Sequence, residues 1–167
     1  SRRLVCATSP KNSSVSGLQR VYYETSALLP ALAQTVKFKD GNTTEYLGDG
    51  ILALFQVDPI DKMKAVYAAY GAAKNAIGDT RLIVNKAIQS RYRLPELDIG
   101  VGLAMSNSLV TLIGLEGEKH PKAFGECVFR VTKLSGGKNK IFIDKNTHAI
   151  WPSEKGGILR FESKQLN

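Results

Sequence analysis

The spacing of apolar residues changes several times along the first half of the chain. Apolar residues recur at helical spacing over 16–36, where Pro30 indicates a kink or a boundary between two helices. Two strands follow, joined by Gly48-Asp49, a dipeptide suited to the tight turn of a hairpin. The predicted strands of this half cover residues 4–7, 43–47 and 50–55. The predicted order is therefore β-α-β-β.

Helical spacing dominates the region after this hairpin. Asp61 is a favourable N-cap for a helix that we predict to run through residue 76, and a second helix is predicted over 80–91. The residues predicted for one apolar face of the first helix are Met63, Val66, Tyr67, Tyr70 and Ala73. These helices would return the chain to the sheet for its next strand.

The last part of the chain alternates between strands and short helices. Residues 97–105 and 108–114 predict a second hairpin, with Ser106-Asn107-Ser108 as its turn. The remaining predicted elements are a strand at 140–143, a helix capped by Asp144 through residue 150, and a strand at 158–161.

The predicted order β-α-β-β-α-β, with additions at its C-terminal end, is that of a ferredoxin-like α+β sandwich. Its sheet would be mainly antiparallel, with helices packed on one face. A chain of 167 residues fits one domain of ordinary size. We therefore expect a single domain over residues 1–167, which could be excised from a longer protein.

The net charge and the arrangement of basic residues limit the kinds of molecule that we expect this chain to bind. The formal net charge of +8 would suit a nucleoside triphosphate, nucleic acid or a membrane surface. The basic residues lie in short, dispersed clusters without a ribonucleoprotein motif, so we do not expect nucleic acid to be the main partner. No apolar run approaches the roughly 20 residues of a membrane span. Cys6 and Cys127 are too few for a disulfide framework, and we expect both to be reduced.

Three segments resemble, in order, the motifs of class III nucleotidyl cyclase homology domains. TEYLGDGILALF at 44–55 resembles the family's metal-site hairpin, and DIGVGLAMSNSLVTLIGLEG at 98–117 resembles its following hairpin. FGECVFRVTKLSGG at 124–137 is similar to the family's helix that begins Gly-Asp-Thr-Val-Asn, and KIFIDKNTHAI at 140–150 resembles the strand and helix after it. The resemblance covers nearly the whole chain.

This resemblance implies a dimer with sites at the subunit interface. Such sites convert a nucleoside triphosphate to a cyclic nucleotide and pyrophosphate. Two aspartates bind two divalent ions, and an asparagine and an arginine from the other subunit orient the ribose and stabilise the developing charge. The implied cofactor is Mg²⁺ or Mn²⁺, bound together with the triphosphate.

The metal-binding positions are only partly retained. Asp49 matches the second metal aspartate, because it occupies the Gly-Asp-Gly turn of the matching hairpin. Thr8 stands where the first metal aspartate would end the first strand, and a neutral hydroxyl is a weak, uncharged ligand for magnesium. Asp40 and Asp58 are alternative acids at other positions. We predict Asp49 as a metal ligand, without a two-metal site.

The transition-state positions differ from the family pattern. Counted from Gly125, the asparagine position holds Phe129 and the arginine position holds Lys133. Phenylalanine cannot donate a hydrogen bond to a ribose oxygen, and Lys133 keeps the charge without the planar bidentate fork. Phe129 would instead fill the dimer cleft and strengthen subunit contact. We expect essentially no cyclase activity from a homodimer.

Glu45 and Lys122 are the candidate residues for base selection. Glu45 lies four residues before Asp49, where the resemblance implies a glutamate in guanylate cyclases that accepts from N1 and N2 of guanine. Its partner position is Lys122, which fits neither the adenine nor the guanine pattern. The alternative for Glu45 is a solvated strand residue without a ligand.

The sequence leaves three functions open. The first is a degenerate cyclase homology domain that binds nucleotide or dimerises, with itself or with another such domain, as a regulatory module. The second is an active class III cyclase, either divergent or dependent on a heterodimer partner. The third is a basic nucleic-acid-binding domain. We expect a cytoplasmic domain in a protein that could as a whole be membrane-attached.

Overall fold

The computed structural model describes residues 17–151, 159 and 161–165, and the backbone of residues 2–8 and 11–12. The strands are β1 (Arg2–Thr8), β2 (Lys11–Asn12), β3 (Asn42–Leu47), β4 (Gly50–Gln56), β5 (Asp98–Ile99), β6 (Val101–Ile113), β7 (His120–Gly125) and β8 (Ile141–Ile143). The helices are α1 (Leu18–Lys37), α2 (Lys62–Asn75), α3 (Arg81–Tyr92), α4 (Glu126–Leu134) and α5 (Lys145–Ile150), and a π-helical turn (Ala76–Thr80) joins α2 to α3.

The main sheet has the strand order β3-β4-β1-β6-β7, and all neighbours along this path are antiparallel. β8 adds a parallel pairing to β6, while β2 and β5 form a separate two-stranded sheet. Without the two-residue strands β2 and β5, and with α2 and α3 counted as one helical segment, the order of elements is βαββαβ followed by β7, α4, β8 and α5. The predicted ferredoxin-like α+β fold with a mainly antiparallel sheet and C-terminal additions is therefore confirmed.

Helices cover both faces of the sheet, because alternate residues of each strand point to opposite sides. Ile51, Ala53 and Phe55 of β4 belong to the larger core, which α1, α2 and α3 cover. Leu52 and Leu54 belong to a smaller core, which α4 covers through residues such as Val131. Our prediction that helices pack on one face was wrong, because α4, one of the C-terminal additions, covers the opposite face.

Several local predictions are confirmed where side-chain chemistry fixes the backbone. The Asp61 carboxylate accepts from the backbone N–H of Lys64 at 3.1 Å and caps α2. Asp144 caps α5 in the same way through Thr147, at 2.8 Å. Pro30 lies inside one continuous helix, so the possible helix boundary at that position does not occur.

The predicted second hairpin is wrong. β6 runs unbroken through Ser106-Asn107-Ser108, and its hairpin partner is β7. Asn107 pairs with Arg3 of β1, while Ser108 pairs with both Arg2 and Gly125. Strand neighbours on both sides thus satisfy the backbone groups that a turn would have used.

The predicted apolar face of α2 is only partly correct. The residues that α2 buries are Ala65, Val66, Ala69, Ala72 and Ala73. Met63 and Tyr67 are exposed instead. The face of α2 that packs on the sheet consists mainly of alanines, whose small side chains let the two backbones lie close together, and the larger side chains lie outside this face. The Tyr67 and Tyr70 rings pack against Trp151 in edge-on contacts.

Three further predictions concern the cysteines, the membrane and the last strand. Cys127 is disulfide-bonded, so the prediction that it is reduced was wrong. Cys127 lies in α4, which packs against β1. The only other cysteine in the sequence, Cys6, belongs to β1. Among the described helices, none is both long and apolar enough to cross a bilayer. The predicted strand at 158–161 falls partly outside the described residues.

Candidate functional site

The turn between β3 and β4 places Asp49 at the tip of a hairpin. Gly48 has a φ of 61°, a left-handed conformation that favours glycine at this position. Asp49 is half-buried, and three residues later Leu52 pairs with Thr8, the last residue of β1. The backbone therefore brings the two predicted metal positions, 8 and 49, to the same end of neighbouring strands.

The residues at this end of the sheet do not fit a two-metal site. Asp49 supplies one carboxylate, and residue 8 is a threonine without charge. Elsewhere in the described part of the chain, no group of three or more His, Cys, Asp or Glu side chains is arranged to hold a metal ion. Asp58 instead accepts from the backbone N–H of Ile60 at 2.8 Å and stabilises the turn before α2. With a carboxylate at position 49 and a threonine at position 8, these two positions lack the pair of acids that two cations would need.

Glu45 and Lys122 meet although 77 positions separate them in the sequence. Their strands, β3 and β7, lie at opposite edges of the hydrogen-bonded sheet, and the sheet curls enough for these edges to touch. Lys122 Nζ donates to Glu45 Oε2 at 2.6 Å, a short charge-assisted hydrogen bond. The Glu45 side chain is only 13% exposed. The structure thus brings the two predicted base-selecting residues together as an ion pair.

Phe129 and Lys133 lie one turn apart on the exposed side of α4. Phe129 is 63% exposed, whereas the neighbouring residues Cys127 and Val131 are fully buried against the sheet. The ammonium group of Lys133 sits 4.5 Å from the centre of the Phe129 ring, which is a cation-π contact. The two positions where the resemblance implies an amide and a guanidinium therefore interact with each other.

Arg130 is a polar residue of this region that no sequence motif predicted. It donates to Asp144 at 3.0 Å and also to Glu126, so it ties α4 to the start of α5. The hydrogen bond to Asp144 is the main reason that the pKa of Arg130 is raised above its ordinary value. The only sequence signal was the i, i+4 spacing from Glu126 to Arg130. Because both acids hold it, Arg130 serves to position α4.

The far end of the β6-β7 hairpin carries exposed apolar side chains on both faces. We call residues 109–113 of β6 and 120–124 of β7 the arm. It extends beyond Ser108, the last residue of β6 that pairs with β1. The exposed apolar residues of the arm are Leu109, Val110, Leu112, Ile113 and Phe124. Exposed apolar clusters are typical of surfaces that bind a partner.

The structure resembles solved catalytic domains of nucleotidyl cyclases. The guanylyl cyclase Cya2 matches with a TM-score of 0.79 at 21% identity, over 91% of this chain and 79% of that chain. The adenylyl cyclase CyaB from P. aeruginosa matches with a TM-score of 0.74 at 14% identity, over 89% and 80% of the two chains. The guanylate cyclase domain of RhGC from Catenaria anguillulae, solved in complex with GTP, matches with a TM-score of 0.66 at 14% identity, over 89% and 81%.

These matches show that the chain has the fold of a cyclase homology domain, as the class III resemblance implied. No protein-family model matches the sequence, and no curated protein matches it. The fold is therefore shared with guanylyl and adenylyl cyclases alike.

Proposed function

We propose that this domain is a catalytically degenerate nucleotidyl cyclase homology domain that acts as a nucleotide-binding or dimerising regulatory module. The contact between Lys133 and the Phe129 ring is the observation that carries the proposal. Neither side chain can replace the amide and guanidinium that the class III resemblance implies. Removing one preorganised donor from a site of developing charge costs roughly 100- to 1,000-fold in rate.

The metal end of the site supports the same conclusion. Asp49 offers one carboxylate, whereas two-metal phosphoryl transfer depends on acids that neutralise both cations. A single Mg²⁺ or Mn²⁺ ion that arrives with a triphosphate needs fewer protein ligands, because the phosphate oxygens supply several of its contacts. We therefore assign Asp49 to metal-dependent nucleotide binding, with Glu45 and Lys122 near the base.

The arm supports dimerisation as the second part of the function. Leu112 is 61% exposed and Leu109 is 54% exposed. Their strand, β6, contains no charged residue, so these side chains form an uncharged surface along it. Burying such side chains between two subunits would supply most of the association energy. The partner is a second copy of this chain or another cyclase homology domain.

A heterodimer-dependent cyclase is the alternative. In that case this chain contributes Asp49 and Glu45, and its partner supplies the missing aspartate, asparagine and arginine. The exposed apolar surface of the arm suits either kind of partner. Purified alone, the domain would be inactive under both proposals, so activity must also be measured after mixing with the candidate partner.

Calorimetric titration of ATP and GTP, with and without Mn²⁺, tests the proposed function directly. We expect metal-dependent binding that Asp49→Ala abolishes and that Asp79→Ala, at an exposed acid in the turn before α3, leaves unchanged. Chromatography of the same mixtures should detect no cyclic nucleotide. A metal-dependent cyclic product from the pure wild-type domain would contradict the proposal.

A gain-of-function variant tests the reason for inactivity. The triple substitution Thr8→Asp, Phe129→Asn and Lys133→Arg restores the side chains that the resemblance implies. We expect it to form measurable cyclic nucleotide with Mn²⁺, while each single substitution stays inactive. A folded, dimeric triple variant that makes no product would show that residues outside these positions also prevent catalysis.

A further inference from the structure

The three helices over the larger core carry surface charge of one sign, and we call α1, α2 and α3 the helical layer. Their basic residues are Arg20, Lys37, Lys62, Lys64, Lys74, Arg81, Lys86 and Arg91. α2 and α3 contain no acidic residue, and Glu24, the only one in α1, is fully buried. On the opposite face of the sheet, by contrast, α4 carries both signs of charge, because it contains Glu126 as well as Arg130.

Most cations of the helical layer are not used within the domain. Arg20 pairs with Glu24 at 2.7 Å, and Arg81 lies 3.8 Å from Glu96. The other six side chains are exposed, and none of them forms an ion pair with a described residue. They are therefore available to an anionic partner.

The acids that flank these helices along the chain lie in turns. Asp58 and Asp61 accept from backbone N–H groups at the start of α2. Asp40 follows the end of α1, and Asp79 lies in the π-helical turn. These carboxylates lower the net charge at the helix ends, but they do not interrupt the positive charge along the helices.

The helical layer forms one continuous surface. The rings of Tyr23 and Tyr92 stack with their centres 4.0 Å apart, near the start of α1 and the end of α3. At the other end of the same pair, the hydroxyl oxygens of Thr35 and Thr80 are 2.7 Å apart, so α1 and α3 are antiparallel neighbours. α2 contacts α1 and is joined to α3 by the π-helical turn.

Large apolar and aromatic side chains project from the same surface. Those that are at least 40% exposed are Leu18, Val21, Tyr22, Met63, Tyr67, Leu82, Ile83 and Tyr92. Basic helices with exposed apolar residues suit the surface of an anionic bilayer, where cations meet the headgroups and apolar side chains reach the acyl boundary. A nucleic acid would bind the cations through its phosphates and leave the aliphatic side chains in water.

We propose that the helical layer binds the surface of an anionic lipid bilayer. Its cations contact the headgroups, and side chains such as Leu82 and Ile83 enter the boundary with the acyl chains. This binding goes beyond nucleotide binding and dimerisation and does not depend on either. α4, with Phe129 and Lys133, lies on the opposite face of the sheet and stays available to a second subunit.

Co-sedimentation with large unilamellar vesicles tests the proposal. We expect the domain to bind vesicles of phosphatidylcholine with about 30% phosphatidylserine at least 10-fold more tightly than vesicles of phosphatidylcholine alone. Raising NaCl from about 0.1 M to about 0.5 M should release most of the protein, because the Debye length becomes shorter. Equal binding to the two kinds of vesicle, or no binding to either, would overturn the proposal.

Removal of charge tests whether this particular surface binds. Three substitutions together remove exposed cations of the helical layer: Lys62→Gln, Lys74→Gln and Lys86→Gln. This variant should bind the anionic vesicles about 10-fold or more weakly. The matched control removes three exposed lysines elsewhere: Lys119→Gln, Lys138→Gln and Lys140→Gln. It should stay within about 3-fold of wild type, because screening limits the effect of charges far from the bilayer. Equal losses in the two variants would contradict the assignment to the helical layer.

The apolar part of the contact has its own variant. Leu82→Ser combined with Ile83→Ser keeps every cation and should weaken vesicle binding about 10-fold, because two apolar side chains no longer enter the bilayer. Leu115→Ser, at a residue that is 77% exposed beyond the arm, is the control and should bind like wild type. Unchanged binding by the folded double variant would show that no apolar contact exists. Binding to a DNA duplex without binding to anionic vesicles would assign the surface to nucleic acid and overturn the proposal.

Discussion

The two ends of β6 use the same kinds of residue in opposite ways. At its start, Val101, Leu103 and Met105 lie in the core beneath the helices and are almost completely buried. At its far end, the apolar residues of β6 that belong to the arm, such as Leu109 and Leu112, are each at least 45% exposed. One strand therefore supplies both the interior of the domain and its apolar surface. The difference separates residues that hold the fold from residues that we assign to a partner.

The largest effect is expected in the core. Phe55 is 1% exposed and packs within the larger cluster, so Phe55→Ala should lower the free energy of unfolding by about 3–5 kcal/mol. Phe38→Ala is the matched control, because Phe38 is 75% exposed and its loss should cost about 0.5 kcal/mol or less. Urea denaturation measures both. Equal losses in the two variants would contradict the assignment of the core.

A smaller effect is expected at Gly41, where the chain turns against the core. A Cβ atom at this position would lie 2.6 Å from the Phe55 ring and 2.7 Å from Val36, which is closer than packed atoms tolerate. Gly41→Ala should therefore destabilise the domain by about 1–3 kcal/mol. Gly136→Ala meets no heavy atom within 4 Å and should have little effect in the same denaturation experiment.

The arm should matter for association and little for folding. Leu112→Ser should weaken the dimer by about 10-fold or more, because each subunit would lose a buried apolar side chain from the interface. Leu82→Ser is the control, since Leu82 on α3 is 54% exposed and lies outside the arm. Sedimentation equilibrium measures both dissociation constants. A wild-type domain that stays monomeric at high concentration would remove the arm as a self-association surface.

The smallest effect is expected at the Phe129-Lys133 contact. A double-mutant cycle with Phe129→Leu and Lys133→Met should give a coupling of about 0.5–1 kcal/mol in the stability of the monomer, as for an exposed cation-π pair. The measurement needs protein concentrations below the dimer dissociation constant. A coupling of zero would mean that the two side chains are independent in solution.

Local chemistry predicted much of the fold. Two helix caps were predicted correctly because the carboxylates of Asp61 and Asp144 bond to the backbone a few residues away. The turn at Gly48-Asp49 was predicted correctly because glycine readily adopts the left-handed conformation found there. Ser106-Asn107-Ser108 has the composition of a turn and yet lies within a continuous strand. Pairing of β6 with β1 and β7 decides its conformation, and those partners are far away in sequence.

The sequence predicted which residues belong to the candidate site, but it did not predict the contacts between their side chains. Asp49, Glu45, Lys122, Phe129 and Lys133 could each be placed by spacing within a motif. The ion pair of Glu45 with Lys122 depends on the curl of the sheet, which brings two edge strands together and leaves no pattern in the sequence. Arg130 was missed because its partner Asp144, the N-cap of α5, lies 14 residues further along the chain.

Lys122 belongs to the arm, while Glu45 belongs to the opposite edge strand, so one hairpin carries both the proposed dimer surface and one half of the proposed base contact. Two binding events that share such an element are linked whenever one of them changes the free energy of the other. If dimerisation changes the affinity for a purine nucleotide by some factor, the nucleotide must change the dimerisation constant by the same factor. The domain would then convert the concentration of a nucleotide into a degree of assembly without any chemical step.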